Sequence, residues 1–587
     1  MLIASGTLLT LGTWFALAIV VFCAGFGLSA LTSQSGAKFD VVLRRSIWWG
    51  LTLFLTSVLV ASVFVPLRSA LALGVVTVIL LVSVVISVFV MRMRFDQSEF
   101  NFRRVSWSWS LIVIAVTVSL VATLLAVRGL GPANNYDSGL YHLGAVQYAG
   151  DFGTIPGLAN VLNAFGYSNS VIPGAAFFGN GPWDGNGFRF FNGFIAFLVL
   201  LDLVIRVAFR SKSVGTYLLV IGVTGMFLPL IAVTDFWVTS PTSDSAIMLL
   251  TLVSAVYLSD FVASRKDMYA NASVVGITLV VLISMRPTML FFAAASFLVV
   301  LLVFVARRRF INAAQLVWSI SAVGVIAFIV GTVQIVRDYL LSGWLLYPLS
   351  LLPFDVSWRA VDPTSLREAT LAAARDPSAA EYWPVAHSWM WIDEWFAARW
   401  SMWETYFWLL GAIVLAGAVV VAVRSRAPIS LRALLLTVFP SVIAVTAWFT
   451  VSPPSYRFIW GPLFLTFMVP LAFVLHSIHK SWIRPALLSG LVAVLGSVTV
   501  FTAIARVDYG GMSTEGTWAI GRLSVPYSFA PSPVPDTQEF VAESGLVVRI
   551  LISGEQCWAV FPLCTVDPNP SLTQRGESIQ DGFAIIN

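Results

Sequence analysis

The chain has 587 residues, of which 58% are hydrophobic and only 11% charged, with a net charge of +5. A soluble domain carries about 25% charged residues, so a cytosolic enzyme, a nucleic-acid-binding protein and a small disulfide-framed domain are all excluded. The basic excess needs no acidic partner, because membrane proteins gather Lys and Arg in their cytoplasmic loops whatever they do.

Apolar runs of bilayer length, about 20 residues each, are expected near 7–32, 46–66, 69–92, 107–128, 188–208, 214–233, 244–263, 313–336, 405–423, 432–452, 457–477 and 484–504. The apolar stretch 272–306 is interrupted by Arg286-Pro287. Proline lacks a backbone donor and disfavours helix at the residue before it, so this stretch is expected to form two short helices. The sum is an all-α polytopic membrane protein with about fourteen transmembrane helices. The first run is too long, and lacks a basic leading segment, to be a cleaved signal peptide.

Alternate loops collect the basic residues: Lys38, Arg44 and Arg45, then Arg92 to Arg104, Arg210 and Lys212, Arg265 and Lys266, Arg307 to Arg309, Arg424 and Arg426, and Lys480 with Arg484. That side is expected to be cytoplasmic. The other side receives both termini and the long loops 129–187 and 337–404, the first of which has no Lys or Arg between Arg128 and Arg189. A membrane domain over 1–504 is thus followed by an outward tail, 505–587. Long loops in a compact protein are usually functional or disordered, and these are rich in Trp, Tyr and Phe, which favours order.

The first outward loop reads Asn134-Asn135-Tyr136-Asp137-Ser138-Gly139-Leu140-Tyr141-His142, with a short helix expected over 138–149. Asp137 fits two roles there, an N-cap accepting a backbone N–H and a general base taking a proton from a hydroxyl. Asp244 opens a span after Ser240-Pro241-Thr242-Ser243 and fits a helix-start cap or a ligand-binding carboxylate. Tyr141, His142 and Asp244 are candidates for contacting an acceptor, a sugar or a metal. The outward-side cations are Arg286, Arg337, Arg375 and Arg457, each either an interfacial anchor or a phosphate ligand. Trp383, Trp389, Trp391, Trp395, Trp400, Trp403 and Trp408 suit an aromatic belt more than a sugar platform. Asp202 and Arg206, four apart, are expected to pair inside a helix. Cys23 is a buried apolar residue of the first span. Cys557 and Cys564 are expected to form a disulfide in the tail, beside a strand at Leu546–Ser553.

Several of these motifs recur in order in a known group. Asp137 with Gly139-Leu140-Tyr141-His142, then Pro156-Gly157-Leu158-Ala159-Asn160, Ser240-Pro241-Thr242-Ser243-Asp244, Arg337-Asp338-Tyr339, Ala374-Arg375, Pro453-Pro454-Ser455-Tyr456-Arg457-Phe458 and Gln556-Cys557-Trp558…Pro562-Leu563-Cys564 resemble a group of bacterial multi-pass proteins similar to GT-C glycosyltransferases. The chain departs from that group's pattern at Arg286, where lysine is common nearby, and at Tyr456, where Asp or a small residue is common. The resemblance implies a GT-C-like enzyme of the bacterial plasma membrane, active on the extracytoplasmic face. It would move a sugar from a polyprenyl-phosphate carrier to an envelope glycan, glycolipid or protein, with Asp137 as base and arginines on the departing phosphate. Some such enzymes use a divalent cation, Mg or Mn, and others none. The rival readings are a polysaccharide polymerase or O-antigen ligase, which relies on Arg rather than an Asp base, and a lipid-linked glycan transporter or flippase. A transporter would place polar residues at mid-membrane and broken helices in repeated halves; this chain has one broken pair and no visible repeat.

Overall fold

A computed structural model describes residues 3–34, 39–94, 109–505 and 532–586, apart from 132, 134, 182, 184, 233–235, 362, 377, 379–380, 479–480 and 559, together with the hairpin strands 517–520 and 523–526. Lys38, Arg103, Arg104, Asn134 and Lys480 of the sequence reading lie outside the described residues. Fourteen helices among the described residues are long and apolar enough to cross a membrane, from Gly6–Thr32 to Ile483–Thr502. The interrupted stretch forms Met268–Met285 and Pro287–Ala306, as expected. Between them Arg286 adopts extended backbone (φ −156°, ψ 115°), the conformation a following proline imposes.

The helices sort by what they face. Ser243–Ala263 is enclosed on nearly all sides, whereas Ala70–Met93, Ala313–Ser342, Trp403–Arg424 and Leu431–Val451 turn large apolar side chains such as Val85, Phe328 and Val423 outward. A helix that is apolar all round belongs in a core or in lipid, and the outward faces here match the bilayer interior. Polar groups inside such a bundle must satisfy one another. At the basic end Arg206 bonds Asp202 at 2.9 Å and Asp260 at 3.0 Å. Asp202 also accepts from Trp48 and Tyr257, and Asp260 accepts the Gly215 N–H. Arg45 is likewise buried against the Asn271 side chain at 2.9 Å.

The long loops and the tail gather at the opposite end. The expected short helix forms as a single wide π turn, Ser138–His142, continued by the α-helix Leu143–Asp151. In the tail, Thr537–Val541 and Val547–Leu551 pair antiparallel, and Cys564–Thr565 adds in parallel. The strand expected over Leu546–Ser553 is therefore shorter at both ends. Cys557 and Cys564 are disulfide-bonded, and Cys23 is a free, half-buried thiol. The tail docks on the first long loop: Phe583 N–H donates to Pro156 O at 2.9 Å and the Thr565 hydroxyl to Val161 O at 2.8 Å. One apolar cluster, including Tyr148, Ile155, Phe165, Val548, Leu563 and Phe583, joins the two segments.

Candidate functional site

Four segments far apart in sequence converge at the loop-bearing end, each aimed by local chemistry. The first carries Asp137. Its N–H donates to the Asn135 side chain at 2.9 Å, and its own carboxylate makes no capping bond. Asn135 thus holds the turn, and the cap role considered for Asp137 does not apply. The π turn begins at Ser138, whose hydroxyl meets that of Ser240 at 2.5 Å. Such turns are often found at functional sites because they re-aim side chains that a regular helix would bury.

The second segment is the turn Ser240–Asp244. Thr242, not Asp244, caps the helix Ser243–Ala263, accepting the Asp244 N–H. The turn is braced from below by Asn192, whose buried amide donates to Ser240 O at 2.8 Å and Thr242 O at 2.9 Å. The Asp244 carboxylate, 1% exposed, accepts from the Thr242 hydroxyl and forms an ion pair with Arg286.

The third segment is the break at Arg286. Freed from the helix by Pro287, its guanidinium also donates to Ser243 Oγ at 2.8 Å and Phe458 O at 3.3 Å. Arg286 therefore turns into the bundle rather than anchoring at the interface. The fourth segment is the Tyr456–Phe458 turn. Arg457 Nη1 meets Asp137 Oδ2 at 2.6 Å. Both guanidiniums lie 4.8 Å from the Phe458 ring centre, which serves as a common platform.

The result is a neutral quartet of two carboxylates and two guanidiniums with unequal access. In the outer pair, Arg457 is 28% and Asp137 17% exposed, while Asp244 in the inner pair is closed to solvent. Burial would weaken the charge on Arg457, yet Asp244 and then Asp137 outweigh it and hold its proton above the ordinary value. Tyr141 is held neutral, chiefly by burial and then by Asp137.

His142 feels all four charges. Burial pushes its imidazole down from 6.5 to about 4, against the pull of Asp137 and Asp244 and with the push of Arg457 and Arg286. Its Nδ1 is buried with no hydrogen-bond partner among the described residues. The ring is therefore neutral at pH 7. Because its folded value lies below the unfolded one, its contribution is intact above pH 6.5 and is lost as the pH falls toward 4. Melting of the detergent-solubilised protein between those limits should show a component of up to about 3 kcal/mol that disappears in His142→Gln; identical pH slopes in the two proteins would contradict this assignment.

Two of the candidate arginines are occupied elsewhere. Arg337 bonds Ser62 Oγ at 2.7 Å and Thr154 Oγ1 at 3.0 Å, tying the second span to the first loop. Arg375 donates to the carbonyls of Val385, Ala386 and Thr450 and covers the Trp391 ring. Neither contacts the quartet. Trp391 and Trp395 are buried packing residues, and Trp395 Nε1 donates to Pro454 O at 2.8 Å, bracing the turn that carries Arg457. Trp383, Trp389 and Trp400 are exposed, as an aromatic belt requires. In the quartet each carboxylate faces an arginine, and among the described residues no three His, Cys, Asp or Glu side chains are arranged to hold a metal ion.

A family model described as a domain of unknown function (DUF8201) matches residues 8–464. The chain belongs to the DUF8201 family. The match takes in all four segments of the quartet and ends before the tail. No curated protein and no solved structure is detectably similar to the chain.

Proposed function

We propose that this DUF8201 protein is a membrane glycosyltransferase that takes its sugar from a polyprenyl-phosphate carrier. The observation that carries the reading is the outer pair: a reachable carboxylate and guanidinium at the loop-bearing end, with a second guanidinium 4.8 Å from the same aromatic platform. Asp137 takes the proton of an acceptor hydroxyl as that oxygen attacks the sugar's anomeric carbon. The lipid phosphate leaves, and Arg457 and Arg286 receive its charge through geometry suited to phosphate oxygens. Because Arg457 already sits on Asp137, an arriving phosphate competes for the guanidinium and frees the carboxylate to act as base. Within the inner pair Asp244 stays closed and holds the frame, while Arg286, 16% exposed, can reach the phosphate.

The basic end of the bundle, with Arg307 to Arg309 and Arg424, suits the cytoplasm, and this supports reading the quartet at the opposite end as facing outward from a bacterial plasma membrane. A lipid-borne donor explains how an enzyme there works without nucleotide sugars. The acceptor is an envelope glycan, glycolipid or protein. The presence of two arginines favours, as the second reading, a polymerase or ligase using a diphosphate-linked glycan.

The test supplies membranes containing wild type or Asp137→Asn, matched in expression and insertion, with labelled polyprenyl-phosphate sugars, labelled diphosphate-linked glycans and envelope acceptors. Transfer from the monophosphate donor that collapses in the variant supports the first reading. Equal transfer in both proteins removes Asp137 from the chemistry, and use of the diphosphate donor alone selects the second reading.

A further inference from the structure

The disulfide loop of the tail sits directly on the segment that carries Asp137. Trp558 N–H donates to Gly139 O at 2.9 Å, Gln556 Nε2 donates to Tyr136 O at 2.7 Å, and the Tyr136 hydroxyl contacts the Glu555 carboxylate. At the loop's other end Leu563 N–H donates to the Tyr148 hydroxyl at 3.1 Å, and the Phe561 ring meets Tyr148 edge-on at 4.9 Å. The loop thus grips both the π turn and the helix that follows it.

Two features show that this grip is built rather than incidental. Trp558 and Leu563 hold φ of +46° and +56°, the left-handed region that costs a non-glycine residue about 1–2 kcal/mol. These are the two residues whose N–H groups make the docking bonds, and each lies next to a half-cystine. Moreover, a β-carbon on Gly139 would lie 2.4 Å from the Trp558 indole. The indole fills the space a side chain at 139 would need, two residues beyond Asp137.

We propose that Trp558 is a positioning residue for Asp137. Seated on Gly139 by the Cys557–Cys564 bridge, it fixes the π turn and so the direction of the carboxylate toward Arg457, without touching the reacting atoms. The proposal rests on Asp137 being the reactive carboxylate, and its first readout is independent of transfer.

The experiment is hydrogen–deuterium exchange on the full chain in nanodiscs. In Trp558→Ala, and in the double variant Cys557→Ser/Cys564→Ser, amides of 136–143 should exchange at least tenfold faster. Those of 155–161, tied to the tail by Phe583 and Thr565, should keep their protection. Gly139→Ala, with the disulfide intact, should reproduce the pattern, and Trp558→Phe should restore most of the protection. In the transfer assay Trp558→Ala should lower kcat at least tenfold with donor KM within about twofold. Unchanged exchange at 136–143 in both Trp558→Ala and Gly139→Ala overturns the proposal. So does loss of protection across the whole tail, which would make the contact generally structural. If exchange responds as stated while Asp137→Asn transfers normally, the clamp stands and the glycosyl-transfer reading is the one that fails.

Discussion

In a double-mutant cycle, Asp137→Asn and Arg457→Gln should each reduce transfer about a hundredfold or more, and the two together hardly more than either alone. The single losses have different origins. Asp137→Asn removes the proposed proton acceptor and leaves Arg457, now without its anionic partner at 2.6 Å, to hold the proposed donor phosphate more tightly. It should therefore lower kcat while donor KM stays the same or falls. Arg457→Gln removes the cation that receives the leaving charge and lets the carboxylate drift, so it should raise KM and lower kcat together. Residues that act as one unit are strongly non-additive. Fully multiplicative losses would show that the pair works as two separate groups. Arg337→Lys and Arg375→Lys serve as controls, since neither guanidinium touches the quartet, and donor KM should stay within about twofold in both.

The largest effect on stability is expected at the other end of the bundle, from Arg206→Met. Arg206 is 1% exposed and is shared between Asp202 and Asp260. Removing it leaves two carboxylates facing one another in the protein interior. Breaking a buried ion pair from one side costs about 3–5 kcal/mol, and the second carboxylate adds to that. The variant should show a sharply lower melting midpoint in detergent and reduced yield. The triple variant Arg206→Met/Asp202→Asn/Asp260→Asn should recover most of the loss, because none of the three positions then holds an unpaired charge. A triple variant as unstable as the single one would mean that the network is needed for its geometry rather than its charge balance.

Composition and the apolar runs expose the bundle almost completely, because a bilayer demands one long apolar helix per crossing and punishes every alternative. The break at Arg286 was equally visible, since proline acts on its immediate neighbour. The Asp202–Arg206 pair follows from helical spacing, but Asp260, 54 positions from Arg206, does not, since nothing local marks it. The quartet shows the same division. Asp137, Asp244, Arg286 and Arg457 each stand out as charges beside apolar sequence, yet Arg337 and Arg375 stand out in the same way and are engaged elsewhere. Only tertiary packing separates the two sets. Nor does spacing alone decide that Asn135 and Thr242 form the caps while Asp137 and Asp244 keep their carboxylates for arginine. Asn192 gave a fainter signal, a lone amide in the apolar run after Phe191, and its bracing role needs the Ser240–Asp244 turn to be seen.

The wide sequence separation within the quartet has a consequence for biogenesis. The inner pair joins residues 42 positions apart, whereas the outer pair joins residues 320 apart. At roughly 5–20 residues per second, Arg457 leaves the ribosome on the order of half a minute after Asp137, and the tail later still. The inner charges neutralise each other while the chain is still being inserted. Asp137 has no Arg457 to pair with until nearly four fifths of the chain has been made. Chains that stop before Arg457 would carry the inner pair and no outer pair, so the outer half of the quartet forms only after twelve of the fourteen described spans have been made.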